Sequence, residues 1–109
     1  MEIIETSIFS KQVNELLTAE DYREFQNALI LNPASGPIIP GGGGLRKIRW
    51  RKEGSGKRGA VRIIYYWQVS EDIILMLYGY TKNRQENLSK DQLKRLKNYI
   101  TSQYKDNKK

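Results

Sequence analysis

Val61-Arg-Ile-Ile-Tyr-Tyr-Trp-Gln-Val69, then Ser70-Glu-Asp72, then Ile73-Ile-Leu-Met-Leu-Tyr-Gly-Tyr80 is the stretch that decides how this chain folds. It is rich in β-branched and aromatic residues, which fit a pleated surface better than a helix. Its period is two. Val61, Ile63, Tyr65 and Trp67 fall opposite Arg62, Ile64, Tyr66 and Gln68,. Ser70-Glu71-Asp72 reads as a turn, and Ile73 to Tyr80 is apolar on both faces, as expected of a central strand,. Just upstream, Leu45 to Trp50 alternates as well, with Leu45, Lys47 and Arg49 on one face and Arg46, Ile48 and Trp50 on the other. Three strands joined as hairpins follow.

Outward from this sheet the period changes to that of a helix. Ser10 is a candidate cap for a helix carrying Phe9, Val13, Leu16 and Leu17 at spacings of three and four,. Thr18-Ala-Glu-Asp21 starts a second helix, with acids in the first turn where the macrodipole favours them,. Its apolar face is Tyr22, Phe25 and Leu29, and Asn32-Pro33 ends it because a residue before proline is pushed out of the α region,. A Pro/Gly loop closing with Gly41 to Gly44 leads into the first hairpin strand, while Met1 to Thr6 is β-compatible. At the other end, Ser89-Lys-Asp-Gln92 is a capping box for a helix with Leu93, Leu96, Ile100 and Tyr104 on one stripe,. The expected order is β-α-α-β-β-β-α: an α+β domain with two N-terminal helices packed on a small, mainly antiparallel sheet. One domain spanning 1–109 is expected, with 105–109 a frayed tail.

Composition narrows the chemistry. The 109 residues include no Cys and no His. Disulfide frameworks, thiol nucleophiles, most zinc sites and imidazole acid/base pairs are therefore excluded. The carboxylates form no D-x-D or E-x-x-E set, so no metal and no cofactor is expected,. Met1 to Glu5 is acidic where a secretory leader is positive, and no apolar run reaches bilayer length, so a cytoplasmic protein without membrane contact is expected,. The net charge of +7 is unevenly spread: −4 over 1–45, +7 over 46–62 and +4 over 63–109. A block this dense favours a polyanion that releases counterions on binding.

Within the block the residues separate by role. Arg62 sits mid-strand among Val61, Ile63 and Ile64, so it must either reach a carboxylate or face an anion-binding cleft,. If the strands pair as hairpins, Lys47, Arg49, Arg62 and Lys82 line one groove, with Arg84 just beyond. Gly54-Ser-Gly-Lys-Arg-Gly59 matches G-x-G-x-x-G literally but joins two strands, so it reads as a hairpin turn that presents Lys57 and Arg58 to a phosphate,. The Gly41 to Gly44 run is read as a flexible entry to the sheet, though its amides suit an anion. Aromatics interleave with the cations, an arrangement that stacks unpaired bases while cations follow phosphates. Tyr65 and Trp67 share a face with Val61 and Ile63 and are assigned to the core. Tyr66, Tyr78 and Tyr80 are the candidates for base contact.

Gly44-Leu-Arg-Lys-Ile-Arg-Trp50, Gly56-Lys-Arg-Gly59, Val61-Arg-Ile-Ile-Tyr-Tyr66 and Tyr78-Gly-Tyr-Thr-Lys-Asn83 before Leu88-Ser89 closely resemble the HigB-like branch of the RelE toxin superfamily, over roughly residues 5–100. The resemblance implies the toxin of a type II toxin-antitoxin system, a ribosome-dependent endoribonuclease that cleaves mRNA in the A site and is neutralised by a cognate HigA-like antitoxin. It implies a basic cleft at Lys47, Arg49, Arg62 and Lys82, with Lys57 and Arg58 on the loop. Together with the face reading, RNA contacts are expected at Lys47, Arg49, Arg58, Arg84, Tyr66 and Tyr80. Arg62, Lys57 and Lys82 would be catalytic: Arg62 for transition-state charge, a lysine as base or acid. Several relatives use a Tyr or His near the C-terminal end, and the run Asn83 to Leu88 holds neither. A gyrase-inhibiting ParE-like toxin of the same fold is the alternative expectation.

Overall fold

The structure, a computed structural model, describes residues 1–51 and 60–105. Its elements are β1 (Glu2–Glu5), α1 (Ser7–Leu16), α2 (Ala19–Leu31), β2 (Arg46–Arg51), β3 (Ala60–Gln68), β4 (Ile73–Thr81) and α3 (Lys90–Ile100), followed by a π-helical turn at Thr101–Lys105. This is the α+β order expected from the periodicities. The four strands form one sheet in the order β1-β4-β3-β2. β2–β3 and β3–β4 are antiparallel, and β1 adds to β4 in parallel. The doubly apolar β4 is therefore central, between β1 and β3.

Each face of the sheet carries its own core. On one, α1 and α2 bury Phe9, Val13, Leu17, Phe25 and Leu29 against Val61, Ile63, Tyr65, Ile74 and Met76. On the other, Ile100 of α3 packs with Leu45, Ile64, Tyr66, Leu75, Leu77 and Tyr80, and Leu93 and Leu96 flank them. Each fully buried Leu, Ile or Phe contributes about 1.5–3 kcal/mol. Tyr65 lies in the first core, as expected; its hydroxyl donates to the Pro33 carbonyl (2.7 Å) and accepts from the Gly36 amide (2.9 Å), tying the Pro/Gly loop to the sheet. In that loop Gly41, Gly43 and Gly44 take positive φ of 74°, 69° and 105°, which favours glycine,.

The start of α1 differs from expectation. Thr6, not Ser10, is the cap: its backbone is extended and its Oγ1 accepts from the Phe9 amide at 3.1 Å. Ser10 is already helical, and its hydroxyl donates to the Glu5 carboxylate. The other caps fall where the sequence puts them, with Thr18 accepting from the Asp21 amide and Ser89–Gln92 making both bonds of a capping box.

One irregularity positions the site. Ile64 pairs with Tyr78 but Tyr65 pairs with Met76, so Leu77 is an extra residue on β4. Leu77 and Tyr78 therefore both belong to the α3 face, and the alternation of β4 inverts beyond this bulge,. Ile74 and Met76 lie with α1 and α2, yet Tyr78 and Tyr80 lie with α3. Gly79 takes the α1 side, where an added Cβ would stand 2.9 Å from Leu16 Cδ1. β1 ends opposite Met76, and beyond it α1 covers the free edge of β4, with Gln12 Oε1 accepting from the Gly79 amide at 2.8 Å.

Candidate functional site

The α3 face of β2, β3 and β4 carries two cross-strand rows. Arg49 is opposite Arg62, and Arg62 is opposite Tyr80. Two residues along, Lys47 is opposite Ile64, and Ile64 is opposite Tyr78. Directly opposed residues on one face stand about 4.5–5.5 Å apart at Cβ. The register thus brings together three of the four cations expected to share a groove. Lys82, the fourth, is exposed just past the end of β4.

Burial divides these side chains sharply. Arg49 is exposed and Lys47 half-buried, its Nζ donating to Asn87 Oδ1 at 3.2 Å. Arg62 is 7% exposed, and its enclosed Nη1 has no hydrogen-bond partner. No carboxylate of the described residues is paired with it. A mid-strand arginine was expected either to reach a carboxylate or to face an anion-binding cleft, and among the described residues the carboxylate is not there,.

The tyrosines need a correction. Tyr66 and Tyr80 were expected to offer ring faces to bases, but they are 8% and 3% exposed. Their rings are part of the second core, because Ile64, Leu75 and Leu77 pack on the same face. What Tyr80 retains is its hydroxyl, enclosed and without a hydrogen-bond partner. Burial pushes the phenol pKa up, which keeps it protonated, and the nearby Arg62 charge works in the opposite direction,. The Tyr78 ring lies 5.8 Å from that of Tyr80, tilted by 43°. Its hydroxyl is held on both sides, donating to Gln85 Oε1 (3.3 Å) and accepting from Gln92 Nε2 (3.0 Å).

Residues that the sequence reading passed over hold this end of the sheet together. Gln85 Nε2 donates to the Asn87 carbonyl and to Gln92 Oε1, and Gln92 Oε1 also accepts from the Ser89 amide. The capping box of α3 is thus continuous with Tyr78, and Asn87 with Lys47. Gln92 was visible only as a cap, and nothing in the spacing of Gln85 or Asn87 signals a site. Beside them, an open cleft of about 210 Å³ runs along the free edge of β4, lined by Tyr78, Tyr80 and Arg84 with Gln12, Glu15 and Gln85. Arg84 is exposed and faces this cleft, not the Arg49–Arg62 row. Lys57, Arg58 and the Gly54 to Gly59 motif lie outside the described residues. Among the described residues no three carboxylates are grouped to hold a metal ion, and no helix is long and apolar enough to cross a membrane.

The arrangement is that of a small α+β protein with a buried arginine, an exposed arginine and a half-buried lysine on one face of its sheet. The family described as the RelE toxin of the RelE / RelB toxin-antitoxin system matches residues 36–109, which include β2, β3, β4 and α3. The chain belongs to this RelE toxin family. It is the toxin of a toxin-antitoxin pair, and an antitoxin is its partner.

Proposed function

We propose that this toxin is a ribosome-dependent endoribonuclease that cuts mRNA in the A site and so stops translation, acting in the cytoplasm and restrained by a HigA-like antitoxin. The observation that supports the reading most is the buried Arg62, whose enclosed Nη1 has no hydrogen-bond partner, flanked by exposed Arg49 and half-buried Lys47 on one sheet face. Cleavage of RNA without a metal needs three things. The 2′-hydroxyl loses its proton and attacks phosphorus, the crowded phosphorane is neutralised, and the 5′-oxygen leaves with a proton. Arg62 cannot act as a base, since arginine stays protonated. It is suited to the phosphorane charge, where a fixed donor is worth about 3–4 kcal/mol. Lys47, Arg49 and Arg84 follow the RNA backbone, and a lysine, Lys57 or Lys82, takes the 2′-hydroxyl proton.

Mapping of mRNA 5′ ends after brief induction tests this. New ends should appear within translated reading frames and vanish when initiation is blocked, and Arg62→Ala should abolish them while antitoxin binding persists. A DNA-damage response without new mRNA ends would replace the nuclease by a gyrase-directed toxin.

A further inference from the structure

We infer that Tyr80 is the general acid of the cleavage, its hydroxyl giving up its proton to the departing 5′-oxygen; this rests on the endoribonuclease reading above. Three observations carry it. The Tyr80 hydroxyl and Arg62 Nη1 are both enclosed polar groups without a hydrogen-bond partner, on side chains more than nine-tenths buried. They belong to residues directly opposed across β3 and β4. A buried hydroxyl normally finds a partner, and here two of the three unmet donors among the described residues lie on directly opposed residues, the third being Trp67 Nε1. Tyr80 also lines the open cleft at the edge of β4 together with Arg84, so the nucleoside on the leaving side has a place to lie. Glu15 lines the same cleft, so part of its wall is acidic.

Chemistry separates Tyr80 from the other candidates. Tyr78 already donates its proton to Gln85 and is held by Gln92, so its phenol is a fixed support. Arginine does not release a proton, whereas a phenol does so to an alkoxide, the stronger base. The balance is complete. The 2′-oxygen forms a bond to phosphorus as its proton passes to a lysine, and the bond from phosphorus to the 5′-oxygen breaks. The phenol proton moves to that oxygen, leaving a 2′,3′-cyclic phosphate, a 5′-hydroxyl and a Tyr80 phenolate. The Arg62 charge stabilises the phenolate, and water returns its proton. Both donors are enclosed in the free protein, so the step requires the Arg62–Tyr80 pair to open to the phosphate.

The test uses purified toxin, freed of antitoxin, on ribosomes programmed with an mRNA whose scissile linkage carries either the natural 5′-oxygen or a bridging 5′-sulfur. Sulfur leaves without protonation. Tyr80→Phe should slow cleavage of the oxygen linkage about 10²–10⁴-fold and leave the sulfur linkage within a few-fold of wild type. Arg62→Ala should slow both. Full activity of Tyr80→Phe on oxygen overturns the assignment, as does an equal loss on both linkages, which a positioning role would give. Wild-type toxin that cuts neither linkage overturns the endoribonuclease reading itself, a result distinct from the others.

Discussion

Replacing Arg62 by methionine should make the protein more stable while destroying its activity. The side chain is 7% exposed, its Nη1 has no partner, and the residue directly across β2 is another arginine. An unsatisfied buried donor costs about 1–3 kcal/mol, and more when charged. Like charges directly opposed on a sheet add to that cost. Methionine has a similar reach, no branch at Cβ and no polar demand, and it fills irregular gaps. Its neighbours Ile64 and Tyr80 are already core. A gain of about 1–3 kcal/mol is expected. The unfolding entropy is about 2.1 cal/mol/K per residue; over 109 residues that makes 1 kcal/mol equivalent to roughly 4 °C, so Tm should rise by about 4–13 °C. Calorimetry and urea unfolding measure this directly, with an unchanged m-value showing that the denatured state is not the source. Arg49→Met, on the exposed neighbour, should stay within about 0.5 kcal/mol of wild type. A lower Tm for Arg62→Met would refute the reasoning, because the guanidinium would then be satisfied in the free protein.

Gly79→Ala should destabilise by about 1 kcal/mol, at the lower end for overpacking, because the new Cβ meets Leu16 Cδ1 at 2.9 Å and Phe9 Cε1 at 3.4 Å, and a leucine methyl can yield,; an unchanged Tm would mean that α1 does not press on this strand. The phenols of Tyr22, Tyr65, Tyr66 and Tyr80 are all pushed above the ordinary value of 10 by burial. Above pH 10 the unfolded chain therefore binds fewer protons than the folded one, so stability is complete below that pH and falls as pH rises, by about 1.4 kcal/mol per unit for each phenol kept protonated. Ultraviolet titration should show phenolate from these four appearing together with loss of circular dichroism, and free titration of all seven tyrosines in a still-folded protein would contradict it.

The sheet was legible because a strand with one buried face must alternate. Val61 to Gln68 and Leu45 to Trp50 do, and their faces come out as read, with Tyr65 in one core and Arg62 on the opposite side. The placement of Tyr78 and Tyr80 was not legible. Strict alternation from Ile74 and Met76 sends both tyrosines toward α1, and only the extra residue at Leu77 returns them to the Arg62 face. A bulge is a property of pairing, and β4 is apolar on both sides, so no polar residue marks where its parity changes. Ser10 misled for a related reason: Thr6 and Ser10 are both competent caps, and the choice falls to Thr6, whose hydroxyl also donates to Leu77 of the neighbouring strand. Burial of Tyr66 and Tyr80 depends on α3 folding back over them, which a sequence pattern does not express.

The position of α3 also explains how a charged row persists in so small a fold. The helix begins at Lys90, and Gln92 in its first turn already reaches Tyr78. Toward its other end Leu96 lies beside Leu77, and Ile100 is buried in the same core. The helix thus starts beside the Lys47–Tyr78 row, and its later turns reach Leu77 and the entry to β2, where Lys97 lies against Gly43. The opposed arginines are directly across from each other, and Arg62 is directly across from Tyr80 of the second core. An anion bound there would gain the attraction of the cations and relieve their mutual repulsion. Binding of a polyanion should therefore raise Tm by mass action, and Arg62→Met should lose most of that increment although it begins from the more stable free protein.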